Sequence, residues 1–483
     1  MSRPVVTIAG AGPVGSLLAL LLARQGRAVR LLERRHDPRR DPGERGRSIN
    51  LALAARGIGP LRAAGVLARV QPQLVEMRGR ALHEPGGGER FLPYGQHAGE
   101  VIHAVERSRL NNVLLDAVEA QPGVTLLFGA RCLGADVDAR RLRWRDQASG
   151  QVREERYDVL LAADGAGSAL RGSLVAAGHA SASEEPLAHD YREFVIPPQA
   201  GGKYAMEPHA LHIWPRGDFM LIALPNPDGS FTATLFLARE PLPGAAADAP
   251  CFARLADAAA ARALFQAQFP DALALVPDFE AQWQAHPQSR LATLRCWPWH
   301  QRELLLVGDA AHAIVPFHGQ GMNCGFEDCA VLADMLAALP VDADGAAIAA
   351  TFPAFERTRR PDTDAIAAMA IENYEEMRAR VLAPDFARRK ELAAGLERAF
   401  PGRFIPRYSM VMFHAEIPYA EALRRGALQE SLLDALLARG VPPAADGETA
   451  SEGGSVAAPP APGDLAALAA SPLAAQLLAD AGL

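Results

Sequence analysis

A chain of 483 residues, 49% apolar and 22% charged, is long enough for two or three substructures around sizeable cores. Its formal net charge of -7 argues against a general nucleic-acid or anionic-membrane binder, since both need surplus Lys and Arg. The five cysteines, Cys132, Cys251, Cys296, Cys324 and Cys329, are scattered without a Cys-x-x-Cys. That predicts free thiols in a reducing cytoplasm, and no metal-ligand spacing is found among His, Cys and carboxylates.

Val5–Ala9 reads as a β-branched strand and is followed at once by Gly10-Ala11-Gly12-Pro13-Val14-Gly15. No secretory leader is expected, because the first strand leaves no room for one. Ser16 to Arg24 is helical in composition, and the apolar run Val14 to Ala23 is too short to span a bilayer. The next strand, Ala28 to Leu32, ends at Glu33. Strand, Gly-x-Gly-x-x-Gly, helix and strand-terminal acid together predict a dinucleotide site. Gly10, Gly12 and Gly15 permit the tight turn and the close pyrophosphate approach. Glu33 suits an unphosphorylated adenosine ribose, as in FAD or NAD.

Arg35 to Arg47 reads as a loop, and Arg47-Ser48-Ile49-Asn50-Leu51 as either a loop-to-helix entry or a flavin-side contact. Met77–His83 and Arg90–Tyr94 flank a glycine-rich turn and read as a hairpin. Within it, Arg80 is either a carboxylate-binding fork or a surface residue. Ile102–Val105 reads as a strand, Arg107–Val118 as a helix and Val124–Phe128 as a strand. Tyr157–Ala163 is a buried strand ending in Asp164-Gly165.

From Pro186 to about Arg290 the character changes to an antiparallel meander, with strands at 211–214, 219–224 and 231–236. Leu304–Val307 is again a buried strand, ending in Gly308-Asp309 and leading to a turn with Gly319 and Gly321. Asp309 can accept from a ligand hydroxyl, and amides beyond the glycines can approach a ring or phosphate. Helices follow over Asn323–Leu339, Phe355 to about Val381, and Ala387–Ala399. From about Pro442 to Gly463 the composition is that of a flexible linker. Leu465–Leu483 is a short Ala/Leu helix candidate, read as a docking helix or frayed tail rather than a membrane anchor.

Gly10/Gly12/Gly15 with Glu33, Asp164-Gly165 and Gly308-Asp309 resemble the three motifs of the single-component flavoprotein aromatic hydroxylases, which arrange them around one FAD. Within that family the chain is similar to the kynurenine-hydroxylating branch. The matching residues are Gly308–Phe317, Gly319-Gln320-Gly321-Met322-Asn323, Gly325–Cys329, Asn373–Arg378, Phe404–Tyr408 and Trp214-Pro215-Arg216, from the N-terminus to about residue 425.

The resemblance implies an α/β fold with a Rossmann-like FAD-binding domain, an inserted antiparallel β-sheet substrate domain and a C-terminal helical region. The expected division is FAD-binding at 1–75, 101–182 and 291–350; a substrate-sheet hairpin at 76–100; a substrate domain at 183–290; helices at 351–440; and a flexible tail at 441–483. It implies that Arg80, Tyr94, Asn373 and Tyr408 hold the amino-acid end of L-kynurenine. It further implies that Arg34, Arg107, Pro316, Gly321, Met322 and Asn323 join the glycines, Glu33, Asp164 and Asp309 around FAD.

NADPH and O2 are the implied co-substrates, with no side chain serving as acid or base and no metal. His318 stands where the family usually has Phe, and Cys324 where it usually has a small residue. Two alternatives remain open: a related hydroxylase of another aryl substrate such as a substituted kynurenine, and a non-catalytic flavin-binding redox sensor. The expected setting is cytoplasmic, without a membrane anchor, and the oligomeric state, monomer or homodimer, is left open.

Overall fold

The computed structural model describes residues 3–40, 50–383, 385–439 and 462–483. Two sheets organise it. The first has the spatial order His300–Gln301, Leu304–Leu306, Val159–Ala162, Val5–Ala9, Ala28–Leu32, Val124–Leu127, and all but its short outer strand run parallel. Val6, Ile8, Leu31, Leu160 and Leu305 are buried, which is why these strands read as unbroken apolar runs.

The register places the site. Ala9 pairs with both Ala162 and Leu32, and Ala162 also pairs with Leu306. Four strands therefore end level with one another. The residues that follow them, Gly10, Glu33, Asp164 and Asp309, emerge at the same carboxyl edge, where open α/β sheets bind ligands. The helices Pro13–Arg24 and Gly321–Ala337 start at this edge and share the apolar core of the first sheet.

The second sheet has seven strands in the order Ser289–Trp297, Ser181–Ile196, Phe231–Ala238, Met220–Pro225, Ala210–Pro215, Gly79–His83, Glu89–Pro93. The expected hairpin and meander are here a single sheet, joined where Gly79–His83 runs parallel to Ala210–Pro215. One face packs through Phe194, Phe231 and Leu235 on Phe265, Phe279 and Trp283 of the helices Ala258–Gln268 and Phe279–Ala285. The other faces the helix Phe352–Arg378, which lies across it.

Four features differ from expectation. Asn50–Leu53 is a strand rather than a helix entry, because Leu51 finds an edge partner in Val105 of Ile102–Glu106; Arg47–Ile49 lie outside the described residues. Ala130–Asp136, Arg141–Asp146 and Val152–Arg156 form an unforeseen three-stranded sheet. Its middle strand alternates exposed arginines with buried Leu142 and Trp144, a period-2 signal that the charges disguised. The substrate sheet contains a 16-residue strand, Ser181–Ile196, whose first half is largely exposed and so lacks an apolar pattern.

The fourth concerns the tail. The helices Pro462–Ala469 and Pro472–Asp480 are docked, not loose: Leu465, Leu468 and Leu478 are buried against Leu392, Leu396, Leu432 and Leu436. This corrects the flexible tail expected at 441–483 over these two helices and favours the docking-helix alternative for Leu465–Leu483, because leucines at helical spacing had cover waiting. Among the described residues no helix is long and apolar enough to cross a membrane.

Candidate active site

The glycine turn after Val5–Ala9 is fixed by lack of space. Gly10 has φ +97°, and a Cβ on it would lie 2.4 Å from the Ala163 carbonyl oxygen; one on Gly15 would lie 1.9 Å from that of Gly10. In front of Gly12, by contrast, nothing lies within 4 Å of a Cβ position. Gly12 caps the Pro13–Arg24 helix without a side-chain bond, so the first-turn amides remain available to an anion. Glu33 is buried; one oxygen accepts from the Ala11 amide at 3.0 Å, the other from the Arg35 amide and Nε. Asn111 braces the turn by donating to the Ala11 carbonyl at 3.0 Å.

At the second corner, Asp164 accepts from the Ala169 amide at 2.9 Å, while its Oδ1 is buried without a partner and burial pushes its carboxyl pKa up. At the third, Asp309 opens onto the cavity described below. Solvent reaches it through the cavity, yet the crowding of protein atoms around it desolvates the carboxyl and raises its pKa, and Arg107 opposes that rise. An orphaned acceptor, a strand-terminal acid beside a glycine turn, and open space before a helix N-terminus are the features that a flavin-adenine dinucleotide requires.

The third corner is held from beneath. Asp328, fully buried, accepts from the Gly308 amide at 3.2 Å, pairs with His312 Nε2 at 2.7 Å and accepts from Arg359 Nε at 2.7 Å. Burial pushes its carboxyl up, but His312 and Arg359 outweigh that and hold it at about 2. Arg359 also reaches Glu327, which pairs in turn with buried Arg56. Sequence reasoning gave this cluster no role. The available signal was an acid at 328 on the helix face shared with Cys324, Gly325 and Leu332, all buried.

A cavity of about 630 Å³ runs from the flavin corner into the space between the substrate sheet and the Phe352–Arg378 helix. Arg107, Asp309, Pro316, Gly321 and Met322 line one part of it, and Arg80, Tyr94, Asn373 and Tyr408 line another. Asn50 and Leu51 line it too, which favours the ligand-contact alternative for that stretch. Gly10, Gly12, Gly15, Glu33 and Asp164 lie along the sheet edge rather than in its wall, and Arg34 is exposed beside Glu33. Asn323 could meet a cofactor only through its backbone. Its side chain is fully buried and bonded to the backbone, accepting from Ala54 N at 3.0 Å and donating to Ala52 O and Gly319 O, both at 2.8 Å. It fastens the glycine turn to the Asn50–Leu53 strand and has no side-chain atom left for a ligand.

At the far end Arg80 is 6% exposed. Its Nη1 pairs with Glu376 at 3.0 Å and its Nη2 donates to Asn373 Oδ1 at 3.4 Å. The Asn373 amide donates to Phe317 O at 2.6 Å, which sets its orientation. Tyr94 and Tyr408 stack at 5.5 Å, with the guanidinium 4.9 Å from the Tyr408 ring centre. The Tyr94 hydroxyl is buried with no partner in hydrogen-bonding geometry. Burial pushes the Glu376 carboxyl up, yet Lys390 and Arg80 outweigh it and hold it at about 2. Glu376 escaped the sequence reading, although it lies one helical turn from Asn373.

His318 stacks on Tyr408 at 5.5 Å, and its Nδ1 is buried without a partner. Burial lowers its pKa from 6.5 to about 4, and the positive charge of Arg80 and Arg407 adds to that. A folded-state pKa below the unfolded one means the unfolded chain binds the proton first. His318 therefore costs nothing above pH 6.5 and costs stability progressively as pH falls to about 4, roughly 3 kcal/mol in all. In His318→Phe the unfolding midpoint should fall less steeply between pH 7 and 4.5 than in the parent chain. Equal slopes in a denaturant series would show that His318 titrates normally.

A family model described as an FAD binding domain matches residues 3–189 and 259–368. The chain is similar to the kynurenine 3-monooxygenase of Stenotrophomonas maltophilia, 47% identical over 429 residues, covering 89% of this chain and 91% of that one. It is also similar to the kynurenine 3-monooxygenase of Myxococcus xanthus, 45% identical over 445 residues, covering 92% and 93%. Among solved structures it resembles 2-methyl-3-hydroxypyridine-5-carboxylic acid oxygenase, with TM-score 0.62 and 20% identity over 80% of this chain and 95% of that one. P. aeruginosa PqsL has TM-score 0.58 and 20% identity over 77% and 98%. At such identities these two structures speak to the fold alone.

Proposed function

We propose that this chain, which belongs to the kynurenine 3-monooxygenase family, binds L-kynurenine in the cavity between its two sheets and hydroxylates the ring beside FAD. The overall reaction is L-kynurenine + NADPH + H+ + O2 giving 3-hydroxykynurenine + NADP+ + water. The observation that carries the reading is the continuity of one cavity from Asp309, Pro316 and Met322 to buried Arg80. The parts of the chain that make up the parallel sheet, within 1–75, 101–182 and 291–350, serve FAD, and the seven-stranded sheet with the C-terminal helices serves the substrate.

The chemistry FAD supplies when bound is hydride acceptance from NADPH and activation of O2. The protein's part is to bind, orient and shield. The amides behind Gly12 receive the pyrophosphate, Glu33 the adenosine ribose, and Asp164 with its free Oδ1 a ligand hydroxyl. Asp309, Arg107, Pro316, Gly321 and Met322 surround the flavin end.

Arg80 grips the substrate carboxylate with the N–H groups that Glu376 and Asn373 leave free, and the unpartnered Tyr94 hydroxyl and Tyr408 complete that grip. Leu211, Ile222, Leu224, Phe236 and Phe317 give the cavity an apolar wall that excludes water from the reacting ring. The aniline nitrogen already enriches the ring carbon ortho to it, so no side chain need act as a strong base.

The test is anaerobic stopped-flow reduction of the FAD-loaded protein by NADPH, with and without L-kynurenine. Kynurenine should accelerate reduction, and under air 3-hydroxykynurenine should form in step with NADPH consumption. Indifference of the reduction rate to kynurenine, together with no hydroxylated product, would refute the reading.

A further inference from the structure

The seven-stranded sheet has an outer face, turned away from the cavity. Arg80 and Leu211 line the cavity, so the alternation along their strands sends His83 and His212 to the opposite side. The register then gathers three side chains there. Ala81 pairs with His212 across the parallel strands, and His83 stands directly opposite Glu89 in the hairpin. Their ligand atoms all lie within 4.8 Å of one another.

The hydrogen bonds around the two imidazoles orient them toward each other. His212 Nε2 lies 2.8 Å from the Glu207 carbonyl oxygen, which only accepts, so Nε2 carries the proton and Nδ1 is a lone pair. His83 Nε2 faces that lone pair at 2.9 Å, and its Nδ1 lies 3.2 Å from Asp271 Oδ2, an oxygen that also accepts from Trp214 Nε1 at 2.7 Å. Two ring nitrogens and one carboxylate therefore converge on one small space.

We propose that His83, His212 and Glu89 bind a divalent transition-metal ion, of which Zn2+ is the best fit, on the outer face of the substrate sheet. His212 already donates its Nε2–H to a carbonyl, and His83 turns its Nδ1 toward a carboxylate, which is how metal-bound imidazoles are held. Two imidazoles and one carboxylate select Zn2+ over Mg2+ or Ca2+, with water as the fourth ligand. The 2.9 Å separation opens to about 3.3 Å for two Zn–N bonds of about 2.0–2.1 Å at a tetrahedral angle. Exposed Glu89 marks the way in from solvent, while His212 is wholly buried. The ion displaces the hydrogen bond between the rings and needs both imidazoles neutral, so affinity rises with pH. No sequence spacing announces the site, because the histidines lie 129 residues apart. An ion there would tie together three neighbouring strands, one of which carries Arg80 on its other face.

The FAD-loaded full-length chain, stripped with chelator, is mixed with a small excess of Zn2+ and desalted, and zinc is measured per FAD. Titration calorimetry at pH 6 and pH 8 gives affinities. The parent chain should retain one Zn2+, more tightly at pH 8. Glu89→Gln, exposed and harmless to folding, should weaken binding at least tenfold, and His83→Gln should retain none. Absence of retained zinc in the parent chain would overturn the proposal and leave the gap to the hydrogen bond between the two rings. Zinc retained equally by parent and Glu89→Gln would overturn it as well, placing the ion elsewhere, for example at the other grouping of His97, Glu100 and Glu397.

Discussion

Replacing Arg80 with alanine should weaken L-kynurenine binding by about 2–5 kcal/mol, a rise in Kd on the order of 30-fold or more. The magnitude follows from burial. Arg80 is 6% exposed, so a substrate carboxylate at this end of the cavity has little water to replace the lost fork. Part of the damage falls on the protein, since Glu376 loses the partner that lies 3.0 Å away. Arg80→Ala/Glu376→Gln separates the two effects: the added glutamine should recover stability without recovering binding. Arg80→Lys should fall between, keeping the charge but not the two-pronged geometry that also serves Asn373 and Glu376. The measurement is a substrate titration followed by the flavin spectrum. A Kd for Arg80→Ala within threefold of the parent would remove Arg80 from the site.

Replacing Asp328 with alanine should cost about 3–5 kcal/mol of folding stability and with it the retention of FAD. The carboxylate neutralises Arg359, which is 4% exposed in its side chain, and it also accepts from His312 and the Gly308 amide. Without it a buried guanidinium keeps Glu327, Asp362 and the neutral Cys324 carbonyl, and the backbone at Gly308 loses the acceptor that sets Asp309 toward the cavity. Asp328→Asn keeps the shape and should lose less.

The pH dependence has a definite sign. A carboxyl held at about 2 in the fold, below its unfolded value, contributes fully above about pH 4. The contribution disappears as pH falls toward 2. The gap between parent and Asp328→Asn should therefore be flat from pH 5 to 8 and narrow only in acid. Denaturant midpoints and FAD content after gel filtration read both effects. A difference below 1 kcal/mol for Asp328→Ala would mean that the cluster does not support the corner.

The glycine–acid corners were legible because each is a local event. A strand must turn, a turn too tight for a Cβ demands glycine, and at the second and third corners an acid stands beside it. Gly10, where a side chain would strike the Ala163 carbonyl oxygen, is of this kind. So were the apolar runs of the parallel sheet. What the motif did not reveal is how Asn323 is used: its side-chain amide is bonded to the backbone of Ala54, Ala52 and Gly319 and fastens the turn. The tail helices show the limit of composition, because Ala and Leu in a low-complexity neighbourhood look idle until Leu392 and Leu436 are seen opposite them.

By itself the amino-acid sequence determined the turn chemistry, the alternation of buried strands with helices and, through resemblance, the residues around Arg80. Only the tertiary structure decided that Ala9, Leu32, Ala162 and Leu306 end level, so that corners far apart in the chain face one ligand. It alone paired Arg80 with Glu376 across 296 residues, set Asp328 beneath Gly308, and brought His83 to His212. Turn geometry and apolar periodicity act within a few residues and are written in order along the chain. The desolvation and charge pairing that give a buried Arg, Asp or His its role depend on neighbours that exist only once the sheets have closed on one another.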